Sequence, residues 1–166
     1  VFVDADTLVP PALLRQAIEA LATGQTGGGG SCIRFGPETK ESLPFALRFW
    51  NRISLGFKLA AGSFIFCRAD GFTTVGGFSD KVYAGEEIVF SRQYKRWCRK
   101  NGLRFVILAD HPVVTSARKL EWYSPFSLVC GFLTLLFFPF LVRSRFFCRF
   151  WYERPKEKTK TQGKLG

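Results

Sequence analysis

Residues 85–108 read GEEIVFSRQYKRWCRKNGLRFVIL, a helix, a stop and a strand in succession. Glu86 opens the helix, which runs to Lys100, and Asn101-Gly102 is its stop. Arg104 to Leu108 follows as an apolar strand, and Val113 to Thr115 offers another. A strand that follows a helix so closely, if repeated along the chain, makes an α/β domain.

Upstream, the same alternation recurs. Val1-Phe2-Val3 reads as a buried strand ending at Asp4, and Pro10-Pro11 stand where a helix can start. Leu13, Leu14, Ala17, Ile18 and Leu21 give that helix one apolar face, with Gly24 as its stop. The run Gly27 to Gly30 reads as a flexible turn, and Ser31 to Phe35 as a strand. A second helix is expected from Pro44 to about Ala61, then a short strand from Ser63 to Cys67, then a Gly76-Gly77 turn within Phe72–Phe78. The expected fold is α/β, with a largely parallel or mixed sheet and flanking helices.

The 166 residues suit one domain with a real core, and 47% apolar content excludes a disordered chain. There are 19 Phe, five Cys, one His and no Met. No cysteine pair has C-x-x-C spacing, so neither a zinc ribbon nor a secreted disulfide framework is supported, and reduced thiols are the simpler reading. His111 alone cannot build a multi-His metal site, and no serine sits in a G-x-S-x-G elbow. A strand at residue 1 with no signal peptide before it is expected to pair with strands that precede it, which makes the chain a piece of something larger.

The net charge is +11, and residues 143–166 carry eight Lys/Arg against two Glu. This basic tail follows residues 125–142, an uncharged apolar stretch flanked by Trp122, Tyr123, Trp151 and Tyr152. That pairing favours anionic lipid head groups over nucleic acid. A hydrophobic transmembrane, re-entrant or in-plane helix is expected at 125–142, with a membrane-associated protein whose catalytic part is cytoplasmic.

Four places could carry chemistry. Asp4 and Asp6 lie at the end of the first strand, where i and i+2 share a face and two carboxylates can hold Mg²⁺ or Mn²⁺; acids there also commonly cap the next helix. Glu86 and Glu87 open a helix, where acids offset the dipole; one of them could instead be a general base, kept ionised by that dipole. Arg118 and Lys119 could clamp a phosphate or form a solvated pair. The glycine run lacks the spacing of a phosphate-binding loop.

In order, Phe2-Val3-Asp4-Ala5-Asp6-Thr7, the glycine run, Gly62-Ser63-Phe64-Ile65-Phe66-Cys67-Arg68, Val75-Gly76-Gly77-Phe78, Tyr83-Ala84-Gly85-Glu86-Glu87, a basic helix and Thr115-Ser116-Ala117-Arg118-Lys119 closely resemble the catalytic part of a family 2 glycosyltransferase of GT-A fold. The resemblance covers residues 1–124. It implies transfer of a sugar from a nucleotide-sugar donor to an acceptor hydroxyl, with inversion, and a divalent cation, Mg²⁺ or Mn²⁺, as cofactor. Asp4 and Asp6 match the D-x-D motif, so the resemblance implies that Asp6 binds the cation and Asp4 the nucleotide side or the cation's water. Glu87, second of the acidic pair with Glu86, is the implied base, although many relatives carry Asp there. Arg118 falls in the region that closes over the diphosphate. The resemblance also implies a nucleotide-binding half of about one hundred residues outside this sequence, so that residues 1–166 alone are expected to be inactive. Gln93-x-x-Arg96-Trp97 has the letters of the processive enzymes' motif but stands too early, on the same helix as Glu87. A lipid-linked or cell-envelope acceptor is the guess that the apolar segment suggests.

Two other readings remain. Asp4 and Asp6 also fit a haloacid-dehalogenase-like phosphatase, as nucleophile and general acid/base, with Thr7 one place early; Asp110 follows an apolar strand but has no acidic neighbour. A non-catalytic membrane-bound fragment is the other.

Overall fold

The computed structural model describes residues 1–36, 43–79 and 85–116, with Phe126 and Leu133. In chain order the elements are β1 (Phe2–Val3), β2 (Thr7–Leu8), α1 (Pro11–Ala22), β3 (Thr26–Phe35), α2 (Leu43–Phe57), β4 (Phe64–Cys67), α3 (Ala69–Val75), α4 (Glu86–Lys100) and β5 (Arg104–Thr115). The strands form one sheet in the order β1-β4-β3-β5-β2. β3 and β5 run parallel, while the β1–β4, β4–β3 and β5–β2 pairs are antiparallel. The architecture is therefore α/β with a mixed sheet.

Period-two alternation on β4 divides the core between the two faces of the sheet. Phe64 and Phe66 pack with Leu13 and Ala17 of α1 and with Val113. Ile65 packs on the other face with Phe90, Tyr94 and Cys98 of α4 and with Phe105. Phe64, Phe66, Phe90 and Tyr94 are essentially fully buried, each contributing about 1.5–3 kcal/mol of apolar transfer. A third cluster joins Trp50 and Ile53 of α2 to Ile88 in the first turn of α4.

Three expectations change. The glycine run is not a turn: Gly27 to Gly30 lie buried inside β3. Side chains cannot fit there, because a Cβ on Gly29 would overlap the carbonyl oxygen of Val106, and one on Gly30 would come 2.6 Å from the Ala60 Cβ. Glycine in this strand marks close approach of neighbouring backbone. The Gly76-Gly77 turn expected within 72–78 is present, both glycines left-handed (φ 81° and 69°), and it closes the short helix α3. α2 stops at Phe57 because Lys58 turns left-handed (φ 50°), and the Leu59 amide donates to the Ser54 carbonyl at 3.0 Å, the 6→1 bond of a Schellman cap. Arg104–Leu108 and Val113–Thr115 are one strand, bulged where Ser31↔Leu108 gives way to Ile33↔Val113, with Asp110 and His111 exposed in the bulge.

The apolar helix expected at 125–142 lies outside the described residues apart from Phe126 and Leu133, as does the tail at 143–166. Among the described residues no helix is long and apolar enough to cross a membrane. The described cysteines, Cys32, Cys67 and Cys98, are free thiols.

Candidate active site

Antiparallel pairing sets the position of Asp4. Val3 stands opposite Phe64, so the chain leaves β1 beside the loop that enters β4. The Asp4 carboxylate lies over Gly62, where a Cβ would meet it in ordinary van der Waals contact, 3.6 Å from Oδ2 and 3.8 Å from Oδ1. Beyond Val3 the strand stops. The Thr7 amide donates to the Asp4 carbonyl at 3.1 Å, closing a turn with Ala5 and Asp6 at its corners. The strand geometry that would put Asp4 and Asp6 on one face therefore does not apply. Both residues are exposed on this turn, at the carboxyl end of β1.

α4 supplies the other acids. Gly85 is left-handed (φ 69°) and its carbonyl accepts from the amides of Ile88 (2.9 Å) and Val89 (3.2 Å), so the helix starts sharply. Buried Ile88 fixes the first turn against Trp50 and Ile53. Glu86 is exposed and Glu87 half-buried. Burial, then the charges of Glu86 and Asp4, push the Glu87 carboxyl up to about 7. The helix dipole was expected to hold this group ionised below its usual range; desolvation outweighs it. Of these causes the Asp4 charge is the smallest, and it acts between residues 83 positions apart in sequence.

These acids suit a hard cation in part. Among the described residues no group of three His, Cys, Asp or Glu side chains is arranged as a metal cage. Two carboxylates on one turn are nevertheless the donor set that Mg²⁺ takes when substrate phosphates and water complete its shell.

No protein-family model, curated protein or solved structure matches the chain. The site therefore rests on its own geometry.

Arg118 and Lys119 lie outside the described residues. Asp110 accepts a 2.8 Å hydrogen bond from Gln16 of α1. Sequence reasoning placed the basic excess in the tail and missed a second concentration. A cleft of about 430 Å³ at the far end of α4 is lined by Lys58, Arg92, Lys95, Arg96, Arg99 and Arg104. The signal was present: Arg92, Lys95, Arg96 and Arg99 repeat at i, i+3, i+4 and i+7, one stripe of a helix.

Proposed function

We propose that the protein is a glycosyltransferase of family 2 type, with a GT-A-like domain over residues 1–124, moving a sugar from a nucleotide-sugar to an acceptor hydroxyl. The observation that carries this reading is the placement of Asp4 and Asp6 on the turn that ends β1 and of Glu87 in the first turn of α4, where the Asp4 charge adds to the raised pKa. The mixed sheet and the order of the motifs agree with it.

On this reading Glu87 is the general base. A carboxyl pushed up to about 7 is largely ionised just above neutrality, yet basic enough to take a proton from a hydroxyl as that hydroxyl attacks. Buried Ile88 holds it on a fixed turn. The acceptor oxygen bonds to the anomeric carbon as the nucleotide diphosphate leaves, and the acceptor's proton ends on Glu87. Asp4 and Asp6 would hold Mg²⁺ or Mn²⁺, which when bound supplies charge neutralisation for the diphosphate leaving group. Glu86, exposed beside the base, adds to the negative field that keeps its proton affinity high. Arg118 and Lys119 as donor contacts, a lipid-linked or cell-envelope acceptor, contact with membrane lipid and a cytoplasmic catalytic part belong to the same proposal.

The test is nucleoside diphosphate release from a panel of nucleotide-sugars by the full-length protein with Mn²⁺. Glu87→Gln should lower kcat about 10²–10⁴-fold while donor affinity stays near wild type. Asp6→Asn should weaken Mn²⁺-dependent donor binding. Donor binding by Asp6→Asn equal to wild type would remove the metal role. A covalent phosphate mimic trapped on Asp4 would replace the transferase with a phosphatase.

A further inference from the structure

The second charged region of the fold lies away from the acids. From Glu87 to Lys95 the helix advances eight residues, about 12 Å. There Arg92, Lys95, Arg96 and Arg99 project from α4 towards Lys58, just beyond α2, and Arg104, at the start of β5, and the six side chains line one cleft of about 430 Å³. Cys98, Leu103 and Phe105 also line it, Cys98 and Phe105 buried and Leu103 partly so, which gives the cationic walls an apolar base. The volume falls in the range of small-ligand sites.

Three details distinguish this cleft from a solvated basic face. The cations come from three separate elements and converge. Lys58 is held in a left-handed conformation that disfavours a side chain, the sole non-glycine with positive φ among the described residues. The Lys95 ammonium donates to the Phe57 carbonyl, which ties α4 to the end of α2 and seats Lys58 at the rim. Burial, followed by the charges of Arg92, Arg99 and Lys58, lowers the Lys95 pKa, as expected where like charges crowd.

We propose that this cleft binds an oligophosphate anion, a group with two or more phosphoryl units, free in solution or as a phospholipid headgroup. Arginine forks match phosphate oxygens in pairs, and several cations around an apolar base suit several negative charges. The proposal does not depend on glycosyl transfer.

Calorimetric titration of pyrophosphate into the full chain tests it, with EDTA present so that a cation at Asp4 and Asp6 contributes nothing. Arg96→Gln/Arg99→Gln should raise Kd about tenfold or more. The charge-matched control Arg15→Gln/Arg48→Gln, exposed on α1 and α2 and outside the cleft, should leave Kd unchanged. Lys58→Gly, which suits the left-handed backbone and should fold, should also weaken binding. Flotation with phosphatidylcholine vesicles, with and without phosphatidylinositol bisphosphate, separates the sources. A loss specific to the cleft variants on the phosphoinositide vesicles identifies a headgroup, and a loss with pyrophosphate alone a soluble oligophosphate. The proposal is overturned if wild type binds neither probe, or if the control pair weakens binding as much as the cleft pair.

Discussion

At the N-terminal end of α4, Glu86, Glu87 and Asp4 bring negative charge together, and burial raises the Glu87 pKa. Two turns further on, Lys95 lies among Arg92, Arg99 and Lys58, and burial lowers its pKa. The helix dipole favours Glu86 and Glu87 in the first turn and Arg99 and Lys100 in the last, while Lys95 stands before the last turn. Dipole compensation alone would hold Glu87 in its charged form, and burial outweighs it. Each end of the helix thus carries charge that tertiary packing has concentrated rather than neutralised.

The sheet beneath the helix holds both ends in place, and breaking it should erase the contrast altogether. Gly29→Ala puts a Cβ into the Val106 carbonyl at the β3–β5 pairing, and backbone cannot yield as a flexible side chain can. The expected cost is about 3 kcal/mol or more, measured by urea unfolding. Stability close to wild type would mean that β3 does not pack as described.

The acid end should show itself through pH. The Glu87 carboxyl titrates near 7 in the folded protein against an ordinary value of 4.5, so between those values the native state holds a proton that the unfolded chain has released. Its contribution to stability is therefore complete below about pH 4.5, falls as pH rises towards 7, and is then lost by about 3 kcal/mol at most. Glu87→Gln removes that dependence and should be the more stable protein above pH 7, measured in EDTA. A stability difference between the two proteins that stays constant from pH 4 to pH 8 (roughly the span that brackets both values) would show that Glu87 is not desolvated.

The smallest effect belongs to the basic end. Lys58→Gly relieves a left-handed φ and one member of a cationic cluster, so it should stabilise the fold by up to about 1 kcal/mol. Destabilisation of that size would show that the Lys58 side chain contributes packing. Loss of stability in Lys58→Gly together with retained pyrophosphate binding would make Lys58 a packing residue and remove it from the anion site.

Several features were legible before folding. The bounds of α4 were readable because Gly85 and Asn101-Gly102 punctuate it, and those of α1 because Pro11 and Gly24 do. The individual residues Asp4, Asp6, Glu86 and Glu87 stood out by type and position. The glycine run misled because a glycine-rich strand has no local signal: its conformation is imposed by Phe66, Ala60 and Val106, which approach within the space a side chain would need. The basic cleft escaped notice because four of its cations lie on one helix, while Lys58 and Arg104 join them only through packing.

Alternating strand and helix patterns, capping residues and charge spacing are local properties, and the sequence by itself determined from them the α/β class, the main helices and the acids at two element ends. Only the tertiary structure decided that Asp4 and Asp6 share a turn rather than a strand face, and that burial pushes the Glu87 carboxyl up to about 7. Those outcomes depend on which distant groups share a low-dielectric space, and neither desolvation nor cross-strand register can be read from residues adjacent in the chain.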